Sequence, residues 1–433
     1  MFFKSFINKL NSKSSKVAII GAGYVGIPLA LACSKIHKTI VYDIDINKIN
    51  HLNKGISPIN TVKNNEIINY IKNKNLFSHS IYDLNFVDIL IICLPTPLNR
   101  KNQPDISYLE EFAKSLTNID LRKKLISLES SSYPGTSQII IDIISRNKKY
   151  YKFGNNIFFS YSPEREDPGN KKYKNIDLIK IVSGKTNNCK KIANLFYKSI
   201  GFKTVLSSNL ETAEFCKIYE NSFRSVNIAF VNQAKELAIK SNLDINEVVR
   251  LASTKDIGFM PFYPGPGIGG HCIPVDPVYL STYSLKKYKY KFSLIEESNN
   301  IHKKTINNVV KRTISISKNN FKNKKKIKLL IIGCTYKKNV NDFRDSPAIP
   351  IIKKLNKIKL LNLTIIDPYI DFYKNNMTLK TISSFNKINN LSYDLGLILT
   401  DHDIFLKSDI KKTCRYIIDT RNMMPYHKNI IKI

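Results

Sequence analysis

Apolar positions in this chain come as short continuous runs, each followed by a stretch of helical periodicity. Residues 16–20 (KVAII) form one run and lead directly into GAGYVGIPLALACSK, whose second half continues as an apolar helix. KTIVYDID follows, then VDILIICLP (87–95), KKLISLES and NIFFSYSP, with helical stretches between them. Strands alternating with helices predict a parallel, doubly wound sheet, in which ligands gather at the carboxyl ends of the strands. Those ends read PTP (95–97), ESSSYPGT (129–136) and SPEREDPG (162–169), and they set hydroxyls and a carboxylate on the expected rim.

The pattern then changes. From Glu211 to about Ser241 apolar residues recur every three or four positions with no Gly or Pro. This predicts one helix of about thirty residues, long enough to connect two lobes. Lys217 and Asn221 are four apart and share a face of it, a spacing that taken alone favours a solvated lysine and a surface asparagine. Beyond it lies PGPGIGGHCIPVDP (264–277), which can continue neither as helix nor as central strand and is therefore a stiff loop carrying a single thiol. A second helical stretch (about 293–318) and the lysine-rich FKNKKKIK follow. KLLIIGCTYKKNVNDFRDSP, LNLTIIDPYI, YDLGLILTDH and RYIIDTRNM then repeat the strand–helix alternation, with only Gly333 in the first turn. The expected architecture is α/β: two doubly wound, Rossmann-like domains joined by a long central helix and a helical middle domain. The boundaries read as a tail at 1–15, domains at 16–207 and 208–318, and a last domain at 327–433.

The first turn carries the sharpest chemistry. Gly21, Gly23 and Gly26 match G-x-G-x-x-G between a strand and a helix, and Asp43 ends the second strand some twenty residues on. Gly21 serves the tight turn, Gly23 the approach of a pyrophosphate to backbone at a helix N-terminus, and Gly26 close helix packing. Asp43 suits a ribose 2′-hydroxyl and disfavours a 2′-phosphate, so NAD is expected over NADP.

Composition narrows the function classes. The net charge is +34, but only ten of the 68 basic residues are arginine and the lysines are dispersed. That argues against a nucleic-acid face, which clusters its charge, while still favouring anionic substrates. Seven scattered cysteines (33, 93, 189, 216, 272, 334, 414) show no CxxC spacing, which argues for reduced thiols and against structural zinc. Cys33, Cys93 and Cys334 sit in apolar runs and read as small core residues. No apolar run approaches a membrane span, and the N-terminus lacks a signal-peptide core, so a cytoplasmic protein is expected.

Taken in order, GAGYVG, SPEREDPG, AEFCKIYENSFRSVNIAFVN, PGPGIGGHCIPVDP and TYKKNVNDFRDSP resemble the nucleotide-sugar 6-dehydrogenases, the UDP-glucose/GDP-mannose dehydrogenase family. The likeness runs nearly the whole chain. It implies a four-electron oxidation of a sugar C6 hydroxymethyl to a carboxylate with NAD, through a thiohemiacetal and a thioester on Cys272. It also implies a role in surface polysaccharide synthesis, a C-terminal lobe that holds UDP, and a homo-oligomer. By the same resemblance Lys217 and Asn221 stabilise oxyanions, Asp276 serves the hydrolytic water, and Glu164 is a second acid–base candidate. Ser131 stands where the family often has threonine. Gly21, Gly23, Tyr24, Val25, Gly26, Asp43, Lys48, Pro95, Thr96, Pro97, Ser130 and Arg344 match cofactor contacts. Glu164, Arg165, Lys217, Asn221, Arg224, Tyr263, Gly267, His271, Lys337 and Arg421 match substrate contacts. Arg224 and His271, with Val275 before the aspartate, resemble the enzymes for UDP-N-acetylglucosamine or UDP-N-acetylmannosamine more than those for UDP-glucose, which remains the alternative substrate. Gln233 departs from the usual glutamate. A non-catalytic nucleotide- or polyanion-binding protein is the alternative of another class.

Overall fold

The computed structural model describes residues 2–165, 178–370, 379–385, 390, 392–406 and 410–433, so the part of SPEREDPG from residue 166 on lies outside the described residues. The chain divides into two compact units, Met1–Glu220 with Val278–Tyr288, and Asn221–Pro277 with Lys289–Ile433.

The first unit is built on a six-stranded parallel sheet of β1 (Lys16–Ile20), β2 (Lys38–Tyr42), β3 (Leu76–Ser78), β4 (Ile89–Ile92), β5 (Leu125–Leu128) and β6 (Phe158–Tyr161). Its order is β3-β2-β1-β4-β5-β6, with β1 between β2 and β4. Every residue of β4, β5 and β6 is buried. Helices on both faces explain why these strands read as apolar runs and not as alternations. A two-stranded parallel ribbon, β7 (Lys180–Val182) with β8 (Thr204–Leu206), completes the unit and was not foreseen. The first fifteen residues are more than a tail: Phe2–Asn11 is a helix whose Phe6 and Leu10 are buried in the core of this unit. Phe6 meets Phe158 edge-on at 5.5 Å, and Lys9 bonds Asp88 at 2.6 Å. The apolar spacing of FFKSFINKL, too short for a confident helix alone, is decided by this burial.

The second unit repeats the sheet. β9 (Ile327–Ile332), β10 (Leu361–Ile366), β11 (Lys380–Ile382), β12 (Tyr393–Ile398), β13 (Cys414–Asp419) and β14 (Ile430–Lys432) are parallel in the order β11-β10-β9-β12-β13-β14, the same topology as the first. Its helical part includes Ile245–Ala252 and Ser293–Asn320. One helix, Leu210–Lys240, gives its first third to the first unit and the rest to the second, as its long unbroken periodicity predicts. No described helix is long and apolar enough to cross a membrane.

Candidate functional site

The glycine turn behaves as its spacing predicts. Gly21 has φ +106°, and a Cβ there would lie 2.7 Å from the Cys93 carbonyl oxygen at the end of β4. A Cβ on Gly26 would fall 1.9 Å from the Gly21 oxygen, so the helix Gly26–Ser34 can start this close to the strand only without a side chain. Gly23 differs: nothing lies within 4 Å of where its Cβ would be. That open space above backbone at a helix start is what a pyrophosphate requires. Asp43, nearly buried at the end of β2, accepts from the Ala22 N–H at 2.8 Å, from Asp45 N at 3.0 Å and from Lys48 Nζ at 2.8 Å. The carboxylate is thus fixed to the turn by backbone and oriented by one lysine. Tyr24 and Val25, within the glycine turn, are half-buried.

The rim of the same sheet gathers more of the expected residues. Thr96 and Pro97 are half-buried and Pro95 is exposed after β4, while the Pro97 carbonyl accepts from the Tyr279 hydroxyl at 3.3 Å. Ser130 is buried after β5, and Ser131 beside it is half-buried. Lys217 is buried on the long helix and donates to the Glu164 carbonyl at 2.5 Å. The Glu164 carboxylate turns elsewhere and accepts from Lys180 Nζ at 2.9 Å. Arg165 pairs with Glu220 and donates to the Ile179 carbonyl at 2.9 Å.

Lys180 and Glu129 were missed by the sequence reading. The Lys180 ammonium is 3% exposed and bonds Glu129 and Glu164 at 2.9 Å each. Glu129 also accepts from the Tyr197 hydroxyl at 2.6 Å, which in turn bonds Ser127 at 2.7 Å. Burial alone would strip the proton from Lys180, but its two carboxylates reverse this and hold it charged. Burial likewise opposes charge on Glu164, yet Lys180 and the surrounding hydrogen bonds keep it below the usual carboxylate range. Glu164 is therefore held as an anion, an acceptor in place of a ready acid. Glu129 takes the opposite direction and is pushed up to about 7, chiefly by burial. Only the lysine abundance hid Lys180, since one buried lysine among so many gives no signal in sequence. A third missed residue is Glu214: fully buried, it accepts from Gly135 N and Ser137 N at 2.7 Å each and so caps the helix Thr136–Ser145.

In the second unit the cysteine loop is shaped by what it rests on. A Cβ on Gly267 would lie 2.8 Å from Pro347, one on Gly269 2.8 Å from the Asp345 oxygen, and one on Gly270 2.8 Å from the Tyr336 ring. The glycines thus let the loop lie flat against the turn after β9. Cys272 is half-buried and forms no disulfide. Its carbonyl accepts from Val275 N at 3.1 Å and Asp276 N at 2.9 Å, which sets the thiol residue one turn ahead of the helix Asp276–Tyr288. The Asp276 carboxylate is buried and accepts from Asn221 Nδ2 at 2.5 Å. Burial pushes the thiols of Cys33, Cys93 and Cys334 upward, as befits inert packed residues.

The remaining expected substrate and cofactor residues also fall in this unit. Arg224, Tyr263 and His271 are exposed, and Lys337 is half-buried. Arg344 forms a two-pronged pair with the buried Asp342 (Nε–Oδ1 3.0 Å, Nη2–Oδ2 2.6 Å). Arg421 donates to the Leu399 carbonyl at 3.0 Å, and its guanidinium is 3.0 Å from where a Cβ on Gly265 would stand.

Comparison with known proteins agrees with this geometry. Residues 15–201 match the NAD binding domain of the UDP-glucose/GDP-mannose dehydrogenase family, residues 211–304 its central domain and residues 330–426 its UDP binding domain. The UDP-N-acetyl-D-glucosamine 6-dehydrogenase of Salmonella typhi is 29% identical over 96% of this chain and 98% of its own. Protein CapL of Staphylococcus aureus is 31% identical over 82% of each chain. The solved UDP-D-ManNAc dehydrogenase of Pyrococcus horikoshii superposes with a TM-score of 0.84 at 27% identity, covering 96% of this chain and 99% of that one. Matched along almost its whole length in one domain order, the chain belongs to the UDP-glucose/GDP-mannose dehydrogenase family.

Proposed function

We propose that the protein oxidises the C6 hydroxymethyl of a UDP-N-acetylhexosamine to a carboxylate, with NAD⁺ as acceptor, to supply a uronate for surface polysaccharide. The observation that carries this reading is the cysteine loop: a half-buried thiol on a glycine-packed turn, followed within one turn by a buried aspartate. The relatives supply the substrate class, since they are named for UDP-N-acetyl-D-glucosamine and UDP-N-acetyl-D-mannosamine. UDP-glucose is the second reading, and His271 and Val275 weigh against it.

The open space at Gly23, the Asp43 carboxylate fixed to Ala22 N and the lysine at 48 fit a dinucleotide with a free ribose 2′-hydroxyl. When bound, NAD⁺ accepts a hydride from C6 at each of two oxidation stages. The chain's own residues do the rest. The Cys272 thiolate adds to the C6 aldehyde, forming a C–S bond and an oxyanion. The nearby helix N-terminus favours the thiolate, and Lys217 and Asn221 are assigned to the oxyanion. Loss of hydride from that adduct leaves a thioester. Water, held by Ser131 and losing its proton to Asp276, attacks the acyl carbon, the C–S bond breaks and the thiolate is restored. Glu164, as an anion beside Lys180, is suited to accept a hydroxyl proton or hydrogen bond. Per sugar, one water and two NAD⁺ are consumed. Arg165, Arg224, Tyr263, Gly267, His271, Lys337 and Arg421 are assigned to the substrate, and Arg344 with the 95–97 segment and Ser130 to the cofactor. Exposed Phe223, Phe230 and Leu237 on the long helix support the homo-oligomer.

The test is NADH formed per UDP-sugar consumed, over a panel of UDP-N-acetylglucosamine, UDP-N-acetylmannosamine and UDP-glucose. Two NADH per sugar with a carboxylate product is expected, with the acetamido sugars preferred in kcat/KM. One NADH with released aldehyde, or a preference for UDP-glucose, overturns the corresponding part.

A further inference from the structure

The second unit contains a cavity of about 470 Å³ that none of the preceding roles uses. It is walled by the end of the long helix, the start of Ile245–Ala252, the turn after β13 and the 426–433 segment that carries β14. Lys235 forms part of the wall and is only 4% exposed. Among the described residues its ammonium has no ion pair and no hydrogen-bond acceptor. The adjacent carboxylate, Glu236, is already engaged by Arg312 at 2.7 Å. The other charges that Lys235 feels, Arg312 and Arg421, are of its own sign, and with burial as the largest cause its pKa falls to about 8. The side chain is thus enclosed while its ammonium reaches the cavity, and an ammonium held there without a counter-charge favours an anion beside it.

The cavity's own acids do not answer it. Asp419 is buried and accepts from Arg421 N and Met424 N at 2.9 and 2.8 Å. Asp244 caps the helix at 245 through Asn246 N and faces Lys432. The rest of the lining is mixed: Ile239, Leu243, Ile245 and Ile430 are apolar, while His427, Lys428 and Lys432 add basic groups. Such a lining suits an oxyanion attached to a compact, partly apolar body.

We propose that this cavity is a second ligand site, separate from the one for sugar nucleotide and cofactor, which takes a small organic anion with its carboxylate or phosphate head on Lys235. The proposal stands whether or not the oxidation described above is correct. The test uses the full chain saturated with UDP and NAD⁺, so that any site for those ligands is filled. Inorganic phosphate, hexanoate and phenyl phosphate are titrated by calorimetry and by the shift of Tm. A saturable rise in Tm is expected for hexanoate or phenyl phosphate, larger than for inorganic phosphate, because ligand bound only to the folded state stabilises it. Whichever of the two binds more tightly assigns the head group. Lys235→Met should weaken that binding by roughly tenfold or more, with turnover unchanged. Ile239→Trp, which narrows the cavity and leaves the lysine in place, should also weaken it, and so covers a Lys235 variant that folds poorly. Absence of saturable binding by any probe, wild-type affinity in Lys235→Met, or binding that appears only when UDP and NAD⁺ are left out would each overturn the second site.

Discussion

The two six-stranded sheets share a strand order and the same turn after the central strand, yet they use that turn differently. Gly21 and Gly333 both have positive φ (+106° and +79°) and both abut the end of the neighbouring strand, at Cys93 and at Thr400. In each, an aspartate ending the second strand accepts from the N–H of the next residue: Asp43 from Ala22 at 2.8 Å, Asp367 from Cys334 at 2.7 Å. There the likeness stops. Asp43 keeps some exposure and a lysine, whereas Asp367 is fully enclosed and bonded to His402 and Tyr369 N. A helix begins at Gly26 in the first lobe and only at Ala348 in the second. The intervening segment of the second lobe supports the cysteine loop through Tyr336, Asp345 and Pro347. One turn geometry thus leaves backbone N–H groups open for a ligand, and in the other lobe becomes a footing for another segment of chain.

The largest expected effect lies on that footing. Cys272→Ser should lower turnover by roughly 10³-fold or more while NAD⁺ and UDP-sugar still bind, since an alkoxide is inaccessible near neutral pH. An active Cys272→Ser enzyme, measured by NADH formation, would remove the thiol from the mechanism.

Next come the glycines that the two lobes share and do not share. Gly26→Ala places a Cβ 1.9 Å from the Gly21 oxygen, and Gly333→Ala places one 2.5 Å from Thr400 in a left-handed conformation. Each should destabilise its own lobe by about 1–3 kcal/mol or more, read as loss of hydrogen-exchange protection confined to that lobe. Equal loss in both lobes from either variant would break the picture of two separate turns.

Acidity should separate the units in opposite directions. Glu214 in the first unit is raised to about 7 by burial, so the fold takes up its proton between about pH 4.5 and 7, and its contribution is lost as pH rises through that window. His302 in the second unit is lowered to about 4, again by burial, so its contribution is present above pH 6.5 and lost as pH falls toward 4. Each is worth up to about 3 kcal/mol. Exchange protection measured at pH 4.5 and at pH 7.5 should therefore change in opposite senses in the two units, and Glu214→Gln and His302→Gln should each reduce only their own unit's trend, Glu129 keeping part of the first.

The smallest effect is the most discriminating. Gly23→Ala meets nothing within 4 Å, so Tm should hold while NAD⁺ affinity falls. Asp43→Ala should weaken NAD⁺ by roughly tenfold and narrow the preference over NADP⁺. A matched Tm loss in Gly23→Ala would mean that the open space is structural.

Much of this was legible because it depends on local rules. Continuous apolar runs announced both sheets, the glycine spacing announced the first turn, and the unbroken period announced the long helix. The N-terminal helix escaped because ten residues of weak pattern are decided by burial against Phe158, a tertiary event. Lys180, Glu129 and Glu214 escaped for another reason. Their significance lies in pairing across 51, 16 and 79 residues of separation, and no spacing rule spans such distances. Likewise the stiffness of the cysteine loop was readable, but the cause of its glycines, close approach to Tyr336 and Pro347, was not.

On the ribosome the cysteine loop emerges before the residues it lies against, because Tyr336 and Pro347 are translated later than Gly267–Gly270. Until they appear, the nascent chain carries a thiol with no fixed surroundings, open to adventitious oxidation. A polypeptide released by premature termination before Pro347 would keep the intact dinucleotide turn at Gly21–Gly26 and a complete cysteine motif, yet lack the surface that gives the loop its shape.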